Sequence, residues 1–192
     1  MTHPSPPVAM EELHHLLKTR ALKFGDFLLA SGQRSTYYID GKEITLHGRG
    51  LYLLSIVMLS RISDLPVDAV GGMSIGADPI AGAIAALAAQ QGRELSAFIV
   101  RKEPKQRGTR RQVEGPLPQG ARVVVLEDVI TTGGSSLAAI EALRREADAH
   151  ILCVLAMVDR LQGAAENLGA HGYELRSLFT VRDLGIEPSN PS

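Results

Sequence analysis

The residues best suited to chemistry lie in two short stretches and at one strand end. Glu127 and Asp128 stand side by side after the apolar run VVVL, and Val129, Ile130, Thr131, Thr132, Gly133, Gly134 and Ser135 follow them. Two adjacent carboxylates repel phosphate. They suit vicinal hydroxyls, as in a ribose, or a metal held by a ligand. The Thr/Gly/Ser segment suits an anion instead. Its glycines let the backbone come close, and unpaired N–H groups at a helix start, with Thr and Ser hydroxyls, cradle phosphate oxygens. The Walker lysine and the Rossmann spacing of glycines are both missing. A phosphate cradle beside hydroxyl-binding carboxylates describes a site for a ribose 5-phosphate. The plainer alternative is a solvated strand end followed by an N-capping turn.

The second stretch, residues 101–111, reads RKEPKQRGTRR, with six basic residues against one acid. It carries Pro104 and Gly108 and has no apolar period. A loop this long inside a compact domain is functional or disordered. The functional reading is a lid that closes over a polyanion; the other is a solvated charged loop. Arg160 follows a strand, where its guanidinium can hold a carboxylate by a bidentate fork. The competing reading of Arg160 is a surface ion pair with Asp159.

Several elements must position these groups. Leu13, Leu16, Leu17 and Leu22 fall at helical spacing, so 11–22 reads as an amphipathic helix. Residues 27–40 read as two short strands around a turn, with Tyr37 and Tyr38 either an aromatic wall over a ligand or part of a half-buried strand. A helix over 49–63 follows. Strands at 68–72, 95–100, 122–128, 150–159 and 174–181 then alternate with helices at 78–92 and 136–147. Asp78 is expected to cap the helix 78–92, with Pro79 in its first turn. Residues 74–77 offer backbone N–H groups just before it. Residues 1–8 and 187–192 read as frayed ends. Apolar strands alternating with amphipathic helices imply an α/β fold with a parallel sheet buried on both faces. Its ligand is expected beyond the carboxyl ends of the strands, near a topological switch point.

Composition bounds the possibilities further. The 192 residues are 45% apolar and carry a formal net charge of −1. That balance argues against bulk binding to nucleic acid or to an anionic membrane. No signal peptide is visible, and the longest apolar runs, 79–89 and 151–158, are shorter than the ~20 residues a spanning helix needs. The single cysteine, Cys153, lies among aliphatic residues and reads as a core residue, in keeping with a cytoplasmic home. The six histidines show no metal spacing and read as surface residues.

The stretch LEDVITTGGS resembles the phosphoribosyl-diphosphate signature of type I phosphoribosyltransferases. FLLASGQRSTYYIDGK, VRKEPKQRG and MVDRLQG narrow the resemblance to orotate phosphoribosyltransferases, and the matches extend over nearly all of residues 11–185. The resemblance implies a single domain over 1–192, an open, mostly parallel sheet flanked by helices. About 1–45 would form a small hood lobe and 101–115 a mobile catalytic loop. It implies a pentosyltransferase making orotidine 5′-phosphate and diphosphate from orotate and phosphoribosyl diphosphate, in pyrimidine nucleotide synthesis. The implied cofactor is Mg²⁺, held mainly by the diphosphate with no direct protein ligand. The implied assembly is a homodimer whose catalytic loop is shared across the interface.

Carried over by position, Arg101, Lys102, Lys105 and Arg107 contact the diphosphate, and residues 127–135 hold the phosphoribosyl group. Lys105 and Asp128 are the catalytic candidates, and Thr131 and Arg160 contact orotate. A lysine that arrives on closure would stabilise charge on the departing diphosphate while water is excluded. The chain departs from its better-known relatives at Arg107, where they carry His, at Ala30, where they carry Lys, and at Ile75-Gly76, where they carry a Tyr-Lys pair. Arginine keeps its charge but cannot trade a proton, so Arg107 suits binding rather than proton transfer. The alternatives are a phosphoribosyltransferase for another base and a non-catalytic regulator that senses phosphoribosyl diphosphate.

Overall fold

The computed structural model describes residues 3–28, 34–103 and 111–188. Helix α1 (Pro6–Leu16) begins earlier than the leucine spacing suggests, because the prolines in its first turn carry a φ already suited to a helix. Residues 6–8 are therefore helical rather than frayed. The chain widens into a π turn at Leu17–Ala21, and Leu22, expected to be helical, opens strand β1 (Leu22–Leu28). Strand β1 pairs antiparallel with β2 (Arg34–Ile39) in a separate two-stranded sheet. A one-turn helix, α2 (Lys42–Thr45), leads to α3 (Gly48–Arg61). His47 caps α3 by accepting from the Gly50 N–H at 3.2 Å, so it is a structural residue rather than an idle surface one.

From there strands and helices alternate: β3 (Ala69–Met73), α4 (Asp78–Gln90), β4 (Ser96–Val100), β5 (Val113–Glu114), β6 (Arg122–Ile130), α5 (Gly134–Ala147), β7 (His150–Asp159), α6 (Ala164–Ala170) and β8 (Leu175–Thr180). The sheet order is β5-β4-β3-β6-β7-β8, parallel except for the short edge strand β5. Three short elements, α2, β5 and α6, escape the sequence reading, since four, two and seven residues are too few to show a period.

Alternation along the strands divides the core in two. Val124, Leu126, Leu155 and Met157 face α1, α3 and α4, while Val123, Val125, Val154 and Ala156 face α5 and α6. Cys153 is fully buried in the first layer, and burial pushes its thiol up to about 11, so it is an unreactive core residue as expected. At the amino end of the sheet, Asp68 takes two side-chain and one backbone hydrogen bond from Arg122. Those bonds hold its carboxyl down at about 2. Its stabilising effect is present above the ordinary carboxylate value and is lost as the pH falls toward that lower one. This end fastens β3 to β6 and leaves the opposite end free to part.

Candidate functional site

The chain turns one way from β3 to β4 and returns on the other side of β3 as β6. The switch point therefore lies between β3 and β6. Paired residues run from Ala69↔Val123 to Gly71↔Val125, and beyond them both strands continue unpaired with each other. A cleft of roughly 910 Å³ opens there. Its walls include Glu127, Asp128 and Ser135 from the β6 side and Ser74, Ile75 and Gly76 from the loop after β3. Arg101 and Lys102 line it at the exit of β4, and Lys42 at the start of α2.

Glu127 and Asp128 both line the cleft, but they are held differently. Strand β6 runs on to Ile130, so both lie within it and their side chains take opposite faces. Glu127 turns toward α5, where the Ser135 and Ser136 hydroxyls donate to its Oε1 at 2.8 and 2.7 Å. Burial pushes its carboxyl above the ordinary value, and the two serines work against that rise. Asp128 takes the other face. Cβ atoms added at Gly41 and Gly76 would lie 2.5 and 2.6 Å from its two carboxylate oxygens, so the backbones of two loops close on it from both sides. Its Oδ1 accepts from the Val129 N–H at 2.8 Å. Burial raises its carboxyl as well, while Lys42 nearby counters the rise. Lys42 is itself held by Asp40 at 2.8 Å. The sequence reading passed over Lys42 and Gly41, although both stand in the quoted YYIDGK.

The segment after β6 forms a bare helix start. Gly133 adopts a left-handed φ of 78° at the entry to α5, and no side chain caps that helix. The hydroxyls of Ser135 and Ser136 are spent on Glu127, so an anion here would meet backbone N–H groups and the threonines instead. Asn167 of α6 pins the loop by donating to the Thr132 carbonyl at 2.7 Å. Ile130 turns its side chain into the core, and its carbonyl accepts from the Arg160 N–H at 3.0 Å. Val129 packs against the other core layer. Neither side chain lines the cleft.

Ile130 pairs with Asp159 across β6 and β7, so Thr131 and Arg160 leave neighbouring strand ends together. Arg160 is no surface residue. It is 6% exposed, and its Nε and one terminal nitrogen are enclosed without a hydrogen-bond partner among the described residues. Asp159 does not pair with it; that carboxylate accepts from the Leu161 N–H at 2.8 Å. The Arg160 guanidinium instead lies 4.9 Å over the ring of Tyr37. Tyr38 points away and meets Phe27 at 5.7 Å.

Two further expectations change. Asp78 does not cap α4, whose N-cap is Ala77; its carboxylate accepts from the Ser74 hydroxyl at 2.7 Å and so braces the loop after β3. His14 is half-buried, stacked on Phe179 and 2.7 Å from the Asp183 carbonyl, rather than free on the surface. Ala30, Pro104, Lys105, Arg107 and Gly108 lie outside the described residues. The ends of the basic stretch are fixed: Arg101 N–H donates to the Gln112 carbonyl at 2.9 Å, and Glu146 of α5 accepts from the N–H groups of Gln112 and Val113. The stretch thus leaves β4 and rejoins the sheet at the antiparallel strand β5. Among the described residues no cluster of three or more acidic, His or Cys side chains could hold a metal by itself, and no helix is long and apolar enough to cross a membrane.

No family model matches the chain. The orotate phosphoribosyltransferase of Rhodopirellula baltica is 46% identical over 179 residues, covering 90% of this chain and 92% of the relative. That of Thermosynechococcus vestitus is 49% identical over 175 residues, covering 91% and 92%. The crystal structure of Mycobacterium tuberculosis orotate phosphoribosyltransferase with Fe(III) dicitrate matches with a TM-score of 0.82 at 38% identity. The same enzyme in complex with 5-phospho-α-D-ribosyl 1-diphosphate matches with 0.77 at 35% identity; both comparisons cover 93% of this chain and 99% of the other. Sheet order, cleft and helix start define a phosphoribosyltransferase of the type I class. Within that class, the chain belongs to the orotate phosphoribosyltransferase family.

Proposed function

We propose that this chain transfers the ribose 5-phosphate of phosphoribosyl diphosphate to orotate within this cleft, giving orotidine 5′-phosphate and diphosphate. The observation that carries the choice of base is Arg160: a buried guanidinium with unpaired donors, beside Thr131 at the switch-point end of the sheet. A buried cation without a partner is costly, and a planar carboxylate supplies what it lacks. Orotate carries one; uracil does not.

The rest of the site then divides by charge. The 5′-phosphate lies on the backbone N–H groups at the start of α5, contacted by Thr131, Thr132, Gly133 and Gly134. Asp128 accepts from the ribose hydroxyls and faces the positive charge that grows on C1 as the bond to diphosphate breaks. The electron pair of that bond leaves with the diphosphate, and a ring nitrogen of orotate supplies the pair for the new bond as its N–H proton passes to the departing diphosphate or to water. Arg101 and Lys102, with Lys105 and Arg107 from the stretch between β4 and β5, neutralise the departing diphosphate. Lys105 is the catalytic member, because its contact is made on closure. Within 101–115, the stretch between β4 and β5 serves as the catalytic loop, and about 1–45 serve as a hood over the cleft within one domain.

The donor set fits a metal carried in by the substrate: Glu127 and Asp128 line the cleft, and among the described residues no cluster of three or more acidic, His or Cys side chains could hold an ion by itself. Mg²⁺ bound to the diphosphate would lower the charge of the leaving group. The loop reaches a neighbouring subunit's cleft, which makes the working unit a homodimer. A cytoplasmic location fits the single, buried cysteine. Incubation with phosphoribosyl diphosphate, Mg²⁺ and a panel of bases tests the reading: orotate should be consumed, and faster use of uracil or a purine would replace it with another base specificity.

A further inference from the structure

Three enclosed hydrogen-bonding groups sit on two side chains that pack against each other. They are the Tyr37 hydroxyl and two guanidinium nitrogens of Arg160, none with a partner among the described residues. Tyr37 is 2% exposed and belongs to β2 of the hairpin; Arg160 follows β7. The guanidinium lies against the ring face, 4.9 Å from its centre, so the hydroxyl at the ring edge does not bond to it. Arginine nitrogens only donate. Buried polar groups are nearly always satisfied, and each that is not calls for an account. Packing explains the Tyr37 ring, which joins the core with Ile39 and Ile44. It does not explain an enclosed hydroxyl, since phenylalanine would pack there as well.

We infer that the Tyr37 hydroxyl is a second donor to the carboxylate of orotate, acting beside the Arg160 guanidinium; this rests on the reading of Arg160 given above. The ring face keeps the guanidinium flat and prevents it from turning toward solvent. The O–H and the N–H groups then converge on the same acceptor, which must enter by displacing the contacts that now enclose them. A carboxylate has the lone pairs to take all three. Strand alternation selects Tyr37 for this task, because Tyr38 points to Phe27 on the other face. Tyr37 thereby makes the hairpin part of base selection as well as a cover.

The variant Tyr37→Phe keeps the ring and removes the hydroxyl. The KM for orotate should rise roughly ten- to a hundred-fold, as for loss of one hydrogen bond to a charged group, with the KM for phosphoribosyl diphosphate unchanged. The melting temperature of the ligand-free protein should stay level or rise, because the variant sheds an unsatisfied buried group. An unchanged KM for orotate overturns the inference. So does a lowered melting temperature with both KM values raised together, which would make the hydroxyl a structural partner. Arg160→Ala, measured alongside, separates the two layers. If it raises the KM for orotate while Tyr37→Phe does not, this inference alone fails. If Arg160→Ala leaves the KM for orotate unchanged, the base-site reading fails first.

Discussion

Replacing Gly76 by alanine probes the geometry on which the ribose site depends. The added Cβ would lie 2.6 Å from one Asp128 carboxylate oxygen and 3.0 Å from its carboxyl carbon. Real Cβ contacts are essentially never below 3.0 Å and become ordinary at 3.4 Å, so the oxygen must retreat by 0.4 to 0.8 Å. The Gly41 backbone crowds the other carboxylate oxygen, since a Cβ added there would stand 2.5 Å from it. Asp128 therefore shifts by turning its carboxylate or by leaning on the α2 loop. A misplacement of about 1 Å at a reacting centre costs roughly 10²-fold, so a shift of about half that predicts roughly a ten-fold loss in kcat/KM. The backbone at Gly76 has a φ open to alanine, so the fold should hold and the melting temperature should change little. Steady-state kinetics of Gly76→Ala in the native and the Asp128→Ala backgrounds isolate the cause. In the second background the methyl has no carboxylate to strike and should add nothing. Full activity in Gly76→Ala, or the same loss in both backgrounds, would refute the clasped-carboxylate argument.

Arg160→Ala should lower kcat/KM for orotate by about 2–5 kcal/mol in binding terms, with phosphoribosyl diphosphate affinity nearly intact; equal use of orotate by both proteins would count against the assignment. Lys105→Ala should lower kcat roughly 10²-fold or more, and mixing it with Asp128→Asn should restore activity through hybrid dimers with one intact site. No recovery after confirmed subunit exchange would mean that each chain works alone. Glu127→Gln addresses pH. The folded state raises this carboxyl above its unfolded value, so it binds the proton more tightly than the unfolded chain does, and its contribution to stability declines as pH rises through that interval. The melting-temperature advantage of Glu127→Gln over the native protein should therefore grow with pH across the interval and then level off; a difference independent of pH would contradict the burial argument.

The sequence by itself determined the layered α/β architecture, because strand and helix periods are local and the apolar runs were long enough to show them. It also determined the chemical inventory: carboxylates beside a glycine-rich helix start, a basic stretch between strands, and an arginine after a strand. Adjacency along the chain does not tell how each carboxylate is held. Glu127 and Asp128 both line the cleft, yet a strand that continues to Ile130 puts them on opposite faces, the first bound by its serines and the second clasped between two glycines. Asp78 looks like a helix cap, but the Ser74 hydroxyl claims it. The partners that define Asp128 and Arg160 are remote in the chain: Gly41 and Gly76 for the first, Tyr37 for the second. No local pattern encodes such contacts. They exist because the hairpin and α2 fold back over the carboxyl end of the sheet, and the tertiary structure alone decides how each carboxylate is held and which buried cation is left without a partner among the described residues.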